Sequence, residues 1–278
     1  MKERFWLMDY NALVRLVYDA RRIATDKGLR ADVSVKGEAD FVTAVDTGIS
    51  AYIKEGLNKI APGVAFVTEE EAEHISVGER FVLDPIDGTT NLMRGYNVSS
   101  ISLGYYADGE VRFGVVYDPF TNKMFFAVKG LGAHFYDTRF GMDRLTRIGV
   151  ENYTKDPLKV SSLPHTEAIV EFGAGSTNKA VAKESFEIAR EVFENCMDLR
   201  RICSTALAIT YIAAGWIDGY FERRIKVWDY CAASLILREA GGCISQWSGE
   251  ELTFTDPSTI VAGNPDTYAY LLSVLKNR

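Results

Sequence analysis

The segment 84-DPIDGTTN-91 places two aspartates three residues apart, a proline between them and a Gly-Thr-Thr run directly behind. Pro85 fixes the backbone between Asp84 and Asp87 and narrows the geometries in which both carboxylates and the Ile86 carbonyl face one point. Two carboxylates about 4 Å apart repel by roughly 4 kcal/mol at an effective dielectric near 20, so a close pair either shares a proton or holds a cation. All-oxygen ligation suits Mg²⁺ or a relative such as Mn²⁺. Gly88-Thr89-Thr90 reads as the start of a short helix whose first N–H groups face an anion, and glycine lets that anion approach the backbone. A threonine hydroxyl beside it can orient a water. The same letters also make ordinary turn chemistry, in which aspartate caps a helix and does nothing more.

Further acidic candidates lie elsewhere. On its own, 69-EEE-71 reads as a solvated face, and Asp229 in 227-VWDYCAASLILREAGG-242 reads as the N-cap of an apolar helix. His74, His134 and His165 are not spaced as a ligand pair, which argues against a zinc hydrolase. Cys196, Cys203, Cys231 and Cys243 lack CxxC spacing and sit in apolar surroundings, so buried free thiols are expected.

The elements that must carry these groups follow from periodicity. A helix is predicted over 9–27, with Asp9 as N-cap and Lys27-Gly28 as the stop, and a second after Asp46, closed by Pro62-Gly63. Residues 64–68 and 80–84 read as short strands, and Asp108-Gly109 marks a hairpin inside a β-rich run that continues through KMFFAVKG and AHFYD. An irregular excursion follows over 137–157, then a strand LKVSS. Beyond it, strands AIVEF, LRRIC, DGYFE, GCISQW and TIVAGN are interspersed with helices over 178–195, 205–214 and 227–240, and a last helix starts at Asp266. This pattern predicts an α+β first subdomain, 1–155, carrying most of the acidic set, and an α/β second subdomain, 156–278. With 278 residues and 47% apolar content the chain has enough material for a sizeable core. A formal charge of −7 without Lys/Arg clusters argues against nucleic acid as a partner. No apolar run approaches the roughly 20 residues that span a bilayer, so no membrane association is expected and the cytoplasm is the expected location.

Four motifs, 40-DFVTAVD-46, 66-FVTEE-70, 84-DPIDGTTN-91 and 228-WDYCAASLILREAGG-242, together resemble the inositol monophosphatase family of Mg²⁺-dependent, lithium-sensitive sugar phosphatases. The resemblance runs along nearly the whole chain. It implies a layered αβαβα sandwich, a homodimer, and two or three Mg²⁺ per site, with Mn²⁺ as a substitute. By motif, Glu69, Asp84, the Ile86 carbonyl, Asp87 and Asp229 are the implied metal ligands. Thr68 stands where a glycine is commoner, and Glu70 is the alternative to Glu69 if the register slips. Gly88 and Thr89 match a phosphate cradle, and the Thr89 hydroxyl with Asp46, beside Glu69, matches the catalytic set that handles the water. Ser204, Thr205, Ala206 and Glu222, with Asp87 and Asp229, match contacts to substrate hydroxyls, and Lys36 matches a lysine near a mobile metal-binding loop.

The implied activity is hydrolysis of a polyol or sugar phosphate monoester, inositol 1-phosphate first, by a metal-activated water. Alternatives within the resemblance are fructose-1,6-bisphosphatase or a dual inositol/fructose phosphatase, with Arg223, Arg224 and Lys226 as candidates for a second phosphate. A 3′-phosphoadenosine 5′-phosphate or histidinol phosphate substrate, or a regulatory binding protein with a residual site, completes the set.

Overall fold

The structure is a computed structural model that describes residues 8–37, 40–71, 78–175, 179–255, 257–276 and 278. A six-stranded sheet forms from β3 (Ala65–Thr68), β4 (Arg80–Asp87), β5 (Ser100–Ala107), β6 (Glu110–Asp118), β7 (Lys123–Val128) and β8 (Ala133–Asp137) in that spatial order, with β3 parallel to β4 and the rest antiparallel. The predicted hairpin joins β5 to β6. Asp108 and Gly109 both take positive φ, 54° and 84°, as a tight two-residue turn between twisted strands requires.

The second half builds a five-stranded sheet in the order β10 (Asp198–Arg200), β9 (Ile169–Phe172), β11 (Gly219–Ile225), β13 (Ser258–Gly263) and β12 (Cys243–Ser245). Between the two sheets lie α8 (Thr205–Ala213) and α9 (Val227–Glu239). Nearly every residue of both helices is buried, because each is apolar around its whole circumference and has a sheet on either side. The outer layers are α1 (Tyr10–Asp19) and α4 (Ala44–Ile60) on the first sheet, and α7 (Ala182–Phe193) and α10 (Pro265–Leu275) on the second. The result is the αβαβα sandwich.

Local expectations held where the pattern was strong. Asp9 caps α1 by accepting the Ala12 N–H, and Ile49, Ile53 and Leu57 bury one stripe of α4. The helix expected over 9–27 is instead broken after Asp19 and continues as α2 (Arg21–Ala24), and the presumed stop at Lys27-Gly28 begins α3 (Lys27–Ala31), because Asp26 caps a new helix through the Gly28 and Leu29 N–H groups. α3 leads into a two-stranded antiparallel ribbon, β1 (Val33–Gly37) with β2 (Asp40–Thr43). The strand expected at LKVSS does not form. Apart from one bridge at Pro157 and N–H bonds from Leu158 and Val160 to Ala133 and Ala240, the segment crosses between the sheets without a partner strand. The excursion after β8 holds α6 (Asp143–Ile148) between short 3₁₀ turns and is tied to α1 by the Val150 N–H on the Asn11 side chain. Of the cysteines only Cys231 is buried; Cys203 is exposed, and all of them are free.

Candidate active site

In a regular strand, residues three apart point to opposite faces, so Asp84 and Asp87 should not meet. The pairing of β4 with β5 resolves this. Asp84 is opposite Ser102 but Asp87 is opposite Ser100, so three steps on β4 match two on β5 and one residue is extra. That bulge, at Pro85-Ile86, turns Asp87 onto the side of Asp84. β4 therefore runs on to Asp87 rather than ending at Asp84. Asp84 is anchored within the bulge, where its Oδ1 accepts the Ile86 N–H at 3.0 Å.

Asp229 reaches the pair from the opposite layer. Carboxylate oxygens of Asp84, Asp87 and Asp229 lie within 4.8 Å of one another. Asp229 is the third residue of α9 rather than its cap, and its Oδ2 accepts the Lys226 N–H at 3.0 Å. Asp46 stands in the same position in α4, which starts at Ala44 and not after Asp46. Its Oδ2 closes a capping box on the Thr43 N–H at 2.8 Å, leaving Oδ1 aimed at the Thr89 hydroxyl at 3.3 Å. In both helices, then, the backward cap holds one carboxylate oxygen.

Glu69 opens the 3₁₀ turn Glu69–Glu71 that follows β3. After burial it is the strongest influence raising the Asp84 pKa, and it raises that of Asp229 as well, whereas Glu70 acts on Asp46. Thr68, in place of the commoner glycine, is fully buried, with its hydroxyl 3.1 Å from that of Ser50 on α4. The extra hydroxyl is thus satisfied, and it fastens the Glu69 turn to the helix that carries Asp46. The Lys36 side chain and residues 72–77 lie outside the described residues.

The turn after β4 is as tight as a phosphate cradle needs. Gly88 has φ 96°, and a Cβ there would stand 3.0 Å from the Val98 carbonyl and 3.2 Å from that of Cys203. Thr89 heads α5 (Thr89–Met93), and its hydroxyl also lies 3.0 Å from the Ile86 carbonyl. Asn91, which closes the motif but carried no expectation, donates to Val98 O at 2.8 Å and Ile202 O at 2.6 Å, clamping two loops around the glycine.

The expected substrate residues converge on Asp87. Ser204 Oγ donates to its Oδ2 at 2.6 Å, the Ala206 N–H to Oδ2 at 2.8 Å and the Thr205 N–H to Oδ1 at 3.0 Å. Glu222 accepts the Tyr220 hydroxyl at 2.6 Å and lies 3.5 Å from the Thr205 hydroxyl. Its carboxylate occupies the space a Cβ on Gly173 would fill. Arg223 is engaged elsewhere: it pairs with Glu184 at 2.8 Å and lies over the Trp247 ring.

Burial and mutual repulsion dominate the electrostatics. Burial, then Glu69, Asp87 and Asp229, hold the Asp84 carboxyl well above the usual carboxylate range. Burial, Asp87 and Glu69 do the same to Asp229. Asp87 is also raised by burial, against the pull of the Ser204, Ala206 and Thr205 donors. A hard cation would reverse each of these shifts, and the donors are all oxygens. The set fits Mg²⁺.

The sequence profile described as the inositol monophosphatase family matches residues 8–278. The chain belongs to the inositol monophosphatase family. It is 33% identical to Nus factor SuhB of Escherichia coli K12, covering 88% of this chain and 86% of that protein, and 32% identical to inositol-1-monophosphatase of Rhizobium meliloti, covering 96% and 95%. Among solved structures, extragenic suppressor protein SuhB of Bartonella henselae superposes with a TM-score of 0.83 at 29% identity, covering 96% of this chain and 97% of that one. An IMPase of Thermotoga maritima gives 0.79 at 26%, with 95% of each chain covered. The family thus pairs enzymes with proteins named for another role. Among the described residues no helix is long and apolar enough to cross a membrane.

Proposed function

We propose that the protein is an Mg²⁺-dependent phosphatase that hydrolyses a phosphate monoester of a polyol or sugar, with inositol 1-phosphate as the leading substrate. The observation that carries this reading is the convergence of Asp84, Asp87 and Asp229 within 4.8 Å, beside a glycine turn too tight for any side chain. Asp84, Asp87, Asp229, Glu69 and the Ile86 carbonyl would hold the cations. When bound, Mg²⁺ supplies charge neutralisation at the phosphate oxygens and lowers the pKa of a water.

The chain's own groups do the rest. The Gly88 and Thr89 N–H groups start a helix, where such groups lack intrahelical partners, and they steady the phosphate oxygens. The Thr89 hydroxyl accepts a proton from the attacking water while passing its own toward Asp46 Oδ1, the oxygen the capping box leaves available. Attack is direct, with no covalent phosphoenzyme. Glu222, with the Thr205–Ala206 turn, receives the hydroxyls of the departing alcohol.

The engagement of Arg223 with Glu184 and Trp247 favours a monophosphate over a bisphosphate, because that guanidinium already has its partners. The test is a phosphate-release screen over inositol 1-phosphate, fructose 1,6-bisphosphate, 2′-AMP and 3′-phosphoadenosine 5′-phosphate with Mg²⁺, repeated with lithium and with excess chelator. Hydrolysis that persists in chelator would remove the metal from the reading.

A second reading, a regulatory binding protein, draws on the 33% identity to Nus factor SuhB. Capture of a transcription-complex partner by an Asp87→Asn variant lacking turnover would support it.

A further inference from the structure

Tyr220 carries a buried hydroxyl that the proposed chemistry does not use. It is only 4% exposed and stands two residues before Glu222 on β11, so both side chains lie on one face of the sheet, the face that meets the start of α8. Three oxygens meet there. Tyr220 Oη is 2.6 Å from Glu222 Oε2 and 2.9 Å from Thr205 Oγ1, whereas Thr205 Oγ1 and Glu222 Oε2 are 3.5 Å apart.

Those distances decide where each proton goes. An ionised carboxylate only accepts, and 2.6 Å is the length of a hydroxyl bond to such an anion, so Tyr220 donates to Glu222. Burial, then the charge of Glu222, pushes the Tyr220 hydroxyl well above its ordinary pKa, so the proton stays on the tyrosine. At 3.5 Å the Thr205 hydroxyl is too far to donate to the carboxylate, and its single proton goes to the Tyr220 oxygen. The chain therefore runs one way, from Thr205 to Tyr220 to Glu222, and consumes both hydroxyl protons. Among the described residues Glu222 Oε1 has no hydrogen-bond donor.

The same carboxylate is seated on bare backbone. Gly173 follows β9, and its N–H donates to the Phe221 carbonyl at 2.9 Å, which sets it beside Glu222. A Cβ on Gly173 would stand 2.0 Å from Glu222 Cδ and 2.3 and 2.4 Å from its two oxygens. Gly173 does not take a positive φ, so alanine suits its backbone and only the carboxylate would have to move.

We propose that Tyr220 is a positioning residue that sets specificity: with Gly173 as the seat, its hydroxyl holds the Glu222 carboxylate in one place and presents Oε1 purely as an acceptor, so the site selects an alcohol that brings a hydroxyl hydrogen. An ether, a ketone or a second phosphate in that place would meet lone pairs alone. The inference deepens the polyol phosphatase reading and rests on it for the identity of the ligand.

The experiment compares Tyr220→Phe and Gly173→Ala with wild type in Mg²⁺, on inositol 1-phosphate and on phenyl phosphate, whose alcohol has no further hydroxyl. The first variant keeps the ring and deletes the donor; the second keeps the donor and takes the carboxylate's seat. Each should raise KM for inositol 1-phosphate about tenfold, the lower end for a hydrogen bond to a charged group, with kcat within about threefold. KM for phenyl phosphate should stay within about twofold, because that substrate never used the contact. On a Glu222→Ala background neither change should have a further effect, since both act through that side chain. Crystal structures of the two variants should show the Glu222 carboxylate displaced from Gly173. Equal loss on both substrates would overturn the proposal, as would an unchanged KM for inositol 1-phosphate or a carboxylate that stays put in either variant. The kinetic arm rests on the phosphatase reading and the crystallographic arm does not, so wild-type protein that releases phosphate from neither substrate would defeat that reading while the structures still decide on Tyr220.

Discussion

Gly104 of β5 and Gly114 of β6 stand opposite each other in register, and α9 rests on both. A Cβ on Gly104 would be 2.7 Å from the Cys231 sulfur, and one on Gly114 would be 2.5 Å from the Ala232 carbonyl oxygen. The helix that presents Asp229 is thus set on bare backbone. Gly114→Ala should cost about 1–3 kcal/mol, the usual range for overpacking, because the clash is with main chain and no rotamer relieves it. The displaced helix should also weaken Mg²⁺ binding. Urea denaturation and calorimetric Mg²⁺ titration check both, and an unchanged midpoint and Kd would mean that α9 has slack.

Asp87→Asn preserves volume but removes the charge that Ser204, Thr205 and Ala206 address. Turnover should fall by about a hundredfold or more, the scale on which the loss of one transition-state electrostatic contact is felt. Far-UV circular dichroism should be unchanged. Retained turnover would take Asp87 out of the machinery.

Thr89→Ala deletes the hydroxyl between Asp46 Oδ1 and the Ile86 carbonyl. We expect kcat to drop by about 10² to 10⁴, the range of a lost proton-transfer group, with little change in KM. Thr89→Ser should restore most of it. A rise in KM with kcat preserved would instead make Thr89 a binding residue only.

Without metal, stability should depend on pH in a definite direction. The folded-state pKa values of Asp84 and Asp229 are raised, so their contribution is fullest below the ordinary carboxylate value and is lost as pH rises through the raised values. In EDTA, Tm should therefore fall between pH 5 and pH 8. Mg²⁺ at a hundredfold excess over Kd restores about 2.7 kcal/mol, and a chain of this size gains about 2–4 °C per kcal/mol. The Mg²⁺-induced shift in Tm should be larger at pH 8 than at pH 5. Differential scanning fluorimetry reads this directly, and equal shifts at both values would contradict the mutual repulsion of the carboxylates.

The motif letters were legible because oxygen ligation and a bare glycine turn demand particular residue types, and DPIDGTTN contains them in order. The bulge that lets Asp84 and Asp87 meet was not, since it exists only in the pairing of β4 with β5. Helix starts misled in the same way for Asp46 and Asp229: a carboxylate ahead of an apolar run looks like a cap, yet both lie at the third helical position and cap backward. LKVSS alternates like a strand, but alternation supplies no partner to pair with.

The six-stranded sheet carries the Asp84–Asp87 bulge near one edge and the excursion after β8 at the other. Phe140, at the tip of its first turn, is 75% exposed and is followed by Gly141 at positive φ. Foreign sequence spliced between them would meet solvent and the flank of α1, four strands away from β4. For an engineer, that is the place to graft an epitope, a reporter or a second domain while leaving the chemistry alone.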